Sequence, residues 1–428
     1  MRVESADNCA EARKPNLVVI MADDLGAKEL GCYGNADHET PRLDAMAAEG
    51  IRFRTCYSAP VCSPTRVMIM TGRYGFRTGW NNFLLRAYAP REDSPLFDLG
   101  SAQLTFADML KEQGYATALA GKWQLSGKVP TLIHDCGFDE YCIWAYDHNL
   151  PEGVKHTGGR EGRKKTARYW HPSIMQNGKY VPTTPEDYGP NMLADFIADF
   201  MKRHRDEPFC VYYPMLLTHE PWDRTPMIGK PGKKTPKGLK YNVEYMDHIV
   251  GRVLDSIDEL GLRDDTVVIF TGDNGTGKSG KNTPTELGAR VPLIVSAPGR
   301  FAKGVVSDEL VDLSDILPTL VDLAGGSIPS DHIVDGHSLV PTLEGEPGEH
   351  REWIFSFLGN KQILRDKRWL LEGDGTFFDC GTSRNGAGYK DVSGSNDPEV
   401  VAARKRFDEI LEGMPVPKDD DPELVPPK

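Results

Sequence analysis

Asn16-Leu17-Val18-Val19-Ile20-Met21 is the stretch that decides the fold. It carries no charge and lacks the polar alternation of a half-exposed strand, so it reads as a central strand covered on both faces. Pro208-Phe209-Cys210-Val211-Tyr212-Tyr213, Thr266-Val267-Val268-Ile269-Phe270-Thr271 and Val291-Pro292-Leu293-Ile294-Val295-Ser296 read the same way. Between the first and second of these, Val243, Met246, Ile249, Val250, Val253, Leu254, Ile257 and Leu260 recur at three and four residues. That spacing predicts a helix, which Gly261 stops. Thr40 as N-cap with Pro41 at the first helical position predicts another helix, ending at Gly50. Thr105 caps a third, running to Gly114. Apolar runs alternating with helical patterns define an α/β fold, with a large mixed, mostly parallel sheet sandwiched by helices.

Beyond Asp335-Gly336-His337-Ser338-Leu339 the pattern changes, and Pro341, Gly345, Pro347 and Gly348 mark a linker. Short strand-like pieces follow at Trp353–Leu358, Gln362–Arg365, Trp369–Glu372 and Thr376–Asp379, then an amphipathic helix over Glu399–Leu411. The expected division is a catalytic α/β domain over residues 1–345 and a small C-terminal α+β subdomain over 346–428. The tail from Met414, rich in Pro and Asp, reads as an extended or frayed end.

Composition narrows the function classes. No run of eighteen apolar residues exists, so no membrane span is expected. The 50 Lys+Arg against 63 Asp+Glu, a net charge of −13, argue against nucleic acid as a partner. With 43 glycines and 31 prolines the chain suits a loop-rich enzyme. Eight cysteines in 428 residues do not make a disulfide scaffold. Cys136 and Cys142 are close enough to pair if the loop folds back; most of the rest read as buried thiols. The start Met1-Arg2-Val3-Glu4-Ser5 lacks a hydrophobic targeting core, which leaves a cytoplasmic protein and a trimmed secretory one both open.

The chemistry gathers at strand ends, where open α/β sheets place their ligands. Asp23 and Asp24 follow one strand, Asp273 and Asn274 another, and His219 stands six residues past a third. Three carboxylates and an amide oxygen suit a hard cation, Ca²⁺ more than Mg²⁺. Cys62-Ser63-Pro64-Thr65-Arg66 precedes a helix expected to begin near Pro64, whose free N–H groups would face an anion. Alone, Asp23-Asp24 would be a solvated turn and Cys62 a buried thiol. Together they describe a site for attacking an anionic ester.

The C-x-P-x-R arrangement of Cys62, Pro64 and Arg66 resembles that of the sulfatase family in the alkaline phosphatase superfamily. Pro15–Gly26, Thr40–Phe53, Gly114–Gln124, Gly272–Gly275 and Lys281–Pro298, with Glu286 and Arg290-Val291-Pro292, also look like sulfatase segments. The resemblance covers about the first three quarters of the chain. It implies an alkaline phosphatase-like fold, a metal held by Asp23, Asp24, Cys62, Asp273 and Asn274, and oxidation of Cys62 to formylglycine. Hydrated to a gem-diol, that residue would attack sulfur through one hydroxyl and expel sulfate through the other. Arg66 would bind the nucleophile oxygen or the carboxylates, Lys122 and Lys281 the sulfate, and His219 the leaving oxygen. It implies a formylglycine-generating enzyme or radical maturase as a partner, and a periplasmic or secreted location, with the cytoplasm still open.

One position departs from the family pattern. Gly121-Lys122-Trp123-Gln124 has glutamine where members often carry a histidine that assists sulfate elimination. Glutamine can orient a hydroxyl but accepts no proton at neutral pH. Thr65, where serine is commoner, keeps the hydroxyl. Two basic segments, from Lys155 to Arg168 and from Lys230 to Lys240, could line a cleft for a sulfated glycan or be solvated loops. The expected activity is hydrolysis of a sulfate ester, with a carbohydrate sulfate as substrate. A phosphodiester or phosphonate monoester hydrolase, and a non-catalytic glycan-binding relative, are the alternatives.

Overall fold

The computed structural model describes residues 13–81, 99, 103–125, 131, 133–145, 167–347 and 350–415. Ten strands form one sheet: β1 Asn16–Ala22, β2 Ile51–Tyr57, β3 Ala116–Gly121, β4 Glu140–Trp144, β5 Ile174–Gln176, β6 Lys179–Val181, β7 Phe209–Pro214, β8 Thr266–Gly272, β9 Arg290–Ser296 and β10 Val305–Asp312. Their order is β10-β2-β9-β8-β1-β7-β3-β4-β5-β6. β1 lies inside it, parallel to β7 on one side and to β8 on the other.

Residues of β1 alternate between two cores, which is why its sequence shows no polar face. Leu17, Val19 and Met21 pack on one side of the sheet and Val18, Ile20 and Ala22 on the other. Helices cover both sides, Leu239–Glu259 contributing Val243, Met246, Ile249 and Val250 to the second. β9 is as apolar as β1 but runs antiparallel to both β2 and β8.

A second sheet of five antiparallel strands, β11 Trp353–Leu358, β12 Lys361–Asp366, β13 Trp369–Leu371, β14 Phe377–Asp379 and β15 Lys390–Asp391, precedes the helix Pro398–Glu412. β15 is two exposed residues long and has no apolar pattern, so nothing in the sequence marks it. Pro341 falls inside a short helix, Val340–Leu343, where a linker was expected. Among the described residues no helix is long and apolar enough to cross a membrane.

Two helices position the site. α1, Pro41–Ala48, begins after Thr40 as expected, but the Thr40 side chain does not cap it. Its hydroxyl accepts from the Gly31 N–H and donates to Asp44. α2, Cys62–Thr71, begins two residues before Pro64, so Cys62 is its first residue. Pro64 fits there because the N–H groups of a first turn have no intrahelical partner to lose. Thr105 does cap the helix Phe106–Glu112, in a capping box with Asp108.

Cys136 and Cys142, whose spacing left a pair open, are not bonded to each other. Cys136 belongs to the core on one side of the sheet and Cys142 to the core on the other. Burial pushes the Cys142 thiol up to about 12, so it stays protonated. The tail from 416 onward lies outside the described residues.

Candidate active site

All the strand-end groups meet. β1 and β8 are paired in register up to Ala22 opposite Gly272, which sets Asp23-Asp24 beside Asp273-Asn274. The Asp24 N–H donates to Asp273 Oδ1 at 2.9 Å, and Asn274 Nδ2 donates to Asp24 Oδ1 at 2.9 Å. Asp24 takes a left-handed conformation, φ 60°, which Asp tolerates better than most non-glycine residues. Cys62 enters from α2, its Sγ within 4.8 Å of carboxylate oxygens of Asp23 and Asp273.

Cations ring these carboxylates. Lys122 Nζ donates to both oxygens of Asp23 at 2.8 Å. Arg66 donates to Asp273 Oδ2 at 2.7 Å and to the Lys122 carbonyl oxygen at 2.8 Å. Lys281 Nζ donates to Asp24 Oδ1 at 2.6 Å. His219 Nδ1 stands 2.6 Å from the Glu220 carbonyl oxygen, which fixes the ring with Nε2 3.7 Å from Asp24 Oδ2. Gln124 is buried and, like Asp24, left-handed, at φ 52°. In this structure, then, Lys122 and Lys281 hold the acids that the resemblance assigned to a metal.

The acids split electrostatically. Burial opposes ionisation of Asp23, but Lys122, then His219, Arg66 and Lys281, outweigh it and hold its carboxyl well below the usual range. Asp273 moves the other way, raised by burial and then by the Asp23 charge. Burial, then Arg168, drives the His219 imidazole well below its ordinary value. Crowded carboxylates pushed apart in this way mark a functional site.

Whether these residues fit a cation is decided by Asn274. Its Oδ1 is buried and has no hydrogen-bond partner among the described residues, while its Nδ2 is fully used. A lone acceptor oxygen among three buried carboxylates is the donor set of a hard dication.

One neighbour escaped sequence reading. Trp222, three residues past His219, donates its indole N–H to the Thr218 carbonyl oxygen at 3.0 Å. A methyl group placed on Gly277 would meet both Asp24 Oδ2, at 3.5 Å, and the Trp222 ring, at 3.7 Å, so the two flank one spot. Arg168, whose guanidinium carbon lies 4.4 Å from the Trp144 ring centre, faces His219 electrostatically. The rest of its basic segment, including Lys155, His156, Arg160, Arg163, Lys164 and Lys165, lies outside the described residues. In the second segment Lys237 pairs with Asp223 at 3.1 Å and Lys240 with Glu244 at 2.6 Å, while Lys234 sits 3.4 Å over the Trp170 ring.

A doubly wound sheet with buried acids, ringing cations and a cysteine at a helix start defines a hydrolase of anionic esters. The sulfatase family profile matches residues 15–327. The chain is 31% identical over 452 residues to arylsulfatase D of Homo sapiens, covering 86% of this chain and 75% of that one. It is 32% identical over 360 residues to N-acetylgalactosamine-6-sulfatase of Canis lupus familiaris, covering 77% and 66%. The crystal structure of Ps i-CgsB superposes with a TM-score of 0.76 at 24% identity, covering 93% of each chain. The chain belongs to the sulfatase family, the sulfuric ester hydrolases, whose members use a metal ion and formylglycine.

Proposed function

We propose that the chain hydrolyses the sulfate ester of a carbohydrate at the site around Cys62, holding Ca²⁺ through Asp23, Asp24, Asp273, Asn274 and residue 62. The observation that carries this reading is the contact of Arg66, Lys122 and Lys281 with the buried carboxylates around Cys62. With a dication added to those acids, the three cations would be left to face an anion whose charge grows on a leaving oxygen. A sugar is favoured by Trp222 beside Asp24 and by the likeness to an enzyme named for a sugar sulfate.

When bound, the dication would neutralise oxygen charge, and residue 62 as a hydrated aldehyde would supply the nucleophilic oxygen. The chain's own groups do the rest. Asp23 and Asp24 would hold the dication, leaving Lys122 and Lys281 to bind sulfate oxygens. Arg66 keeps Asp273 aimed inward. His219, its Nδ1–H on the Glu220 carbonyl, holds or passes a proton at Nε2. Gln124 orients a hydroxyl. Cys62 would be converted by a formylglycine-generating enzyme or radical maturase, and we favour a periplasmic or secreted location.

Protein stripped of metal and refilled with Ca²⁺ or Mg²⁺, assayed on sulfated monosaccharides and an aryl phosphodiester, tests these points together. Ca²⁺-restored release of sulfate from a sugar is expected. Restoration by Mg²⁺ alone would overturn the metal assignment, and phosphodiester cleavage exceeding sulfate release would overturn the substrate.

A further inference from the structure

A cavity of about 370 Å³ shares no residue with the catalytic site. Arg52 and Arg54 from β2, Arg290 from the start of β9, Arg384 and Ser383 from the loop between β14 and β15, and Tyr33 line it. Four arginines thus line one cavity of a protein with net charge −13. Buried or crowded cations call for a counter-charge.

The protein supplies little of it. Only Arg54 has a carboxylate within 4.0 Å among the described residues, Asp308 at 3.5 Å, and both are about half exposed. Arg290 is 8% exposed and uses Nε and Nη2 on the Arg54 carbonyl oxygen, at 3.2 and 3.1 Å. Glu286, the nearby acid, spends its Oε1 on Tyr57 and Arg365 and has no oxygen within 4.0 Å of a guanidinium nitrogen of the other four arginines. Arg384 donates from Nη1 to the carbonyl oxygens of Gly381 and Ser383, and its Nε is buried without a partner among the described residues. Arg52 lies 4.9 Å from the Tyr33 ring centre, and the Tyr33 hydroxyl is turned away onto backbone oxygens of Phe53 and Leu293. Burial, and then the Arg365 charge, pull Arg384 below its ordinary range, as expected of positive charge short of compensation.

We propose that this arginine pocket is a second, non-catalytic binding site for a tetrahedral oxyanion, a sulfate group either free or carried on a sugar. Planar guanidinium forks match such an anion two oxygens at a time, which ammonium groups cannot do. The cavity is many times the ~30 Å³ share of one water, so it accepts the group together with a sugar ring. Choosing sulfate rests on the family's chemistry; the positive pocket itself does not depend on which substrate the catalytic site cleaves.

The test is equilibrium dialysis of the full chain against labelled inorganic sulfate at low ionic strength, comparing the parent with Arg52→Gln/Arg384→Gln. The double variant should bind one equivalent of sulfate fewer per chain, while its turnover of a small aryl sulfate stays within about twofold. Retained turnover shows that the fold and the catalytic site are intact. The Michaelis constant for a sulfated tetrasaccharide separates the two sources of the group. A rise of about tenfold in the variant, roughly 1.4 kcal/mol, identifies a sugar-borne sulfate. An unchanged constant with the equivalent lost identifies free sulfate. Equal sulfate stoichiometry in parent and variant overturns the proposal.

Discussion

Arg66 donates to Asp273 at 2.7 Å and stands 3.5 Å from Asp23, with all three side chains at most 1% exposed. It therefore ties the first turn of α2, which carries Cys62, to carboxylates at the ends of β1 and β8. Removing one member of a buried ion pair strands the other in a low-dielectric interior. Arg66→Ala should lose about 3–5 kcal/mol of stability in urea unfolding. Turnover should fall with it, because Asp273 is no longer aimed. Arg66→Lys keeps the charge but not the fork that also reaches the Lys122 carbonyl, so it should lie between. Parental stability in Arg66→Ala would contradict this role.

Gln124 is the position where the chain departs from the family's histidine. We assign it an orienting role, since every other member of the constellation is in place around it. Gln124→His should then leave kcat on an activated aryl sulfate within about tenfold of the parent. General-base help is worth ~10²–10⁴, so a gain of that size in Gln124→His, relieving a burst followed by slow turnover, would show that a base is missing.

Asp247, on the helix Leu239–Glu259, caps α1 in place of Thr40 by accepting from the Arg42 and Leu43 N–H groups at 3.1 and 2.8 Å. Burial, aided by the Asp44 charge, outweighs those bonds and pushes its carboxyl up from 3.8 to about 6. A group raised on folding stabilises in its protonated form. That contribution is full below about pH 4 and is lost as pH rises through about 6. Asp247→Asn removes the titration, so the stability difference between parent and variant should change by about 3 kcal/mol across this window. Parallel urea midpoints from pH 4 to 7 would contradict it.

Much of this was legible because strands covered on both faces carry a uniform apolar run, and a turn of Asp23-Asp24 or Asp273-Asn274 directly after such a run stands out. The same uniformity hid direction: β9 reads like β1 yet runs antiparallel to its neighbours. Pro64 suggested a helix start two residues late, because a first turn accepts proline at more than one position. Cys136 and Cys142 looked pairable from spacing, but Cys142 on β4 faces one core while Cys136, in the turn before that strand, packs into the core on the other side of the sheet. Trp222 and the arginine pocket were invisible, since no spacing singles out Trp222 and the pocket joins residues from Tyr33 to Arg384. Lys122 illustrates a subtler gap: the resemblance gives it to sulfate, and only the fold brings it onto Asp23.

The central claim is that residue 62, converted from cysteine, is the nucleophile for sulfate ester hydrolysis. The direct measurement is sulfate release from an aryl sulfate, plotted against the formylglycine fraction at residue 62 found by peptide mass, for preparations modified to different extents. A line through the origin, with Cys62→Ala folded and inactive, is the expected result. Parental turnover in Cys62→Ala, or activity that does not follow the formylglycine fraction, would contradict the account.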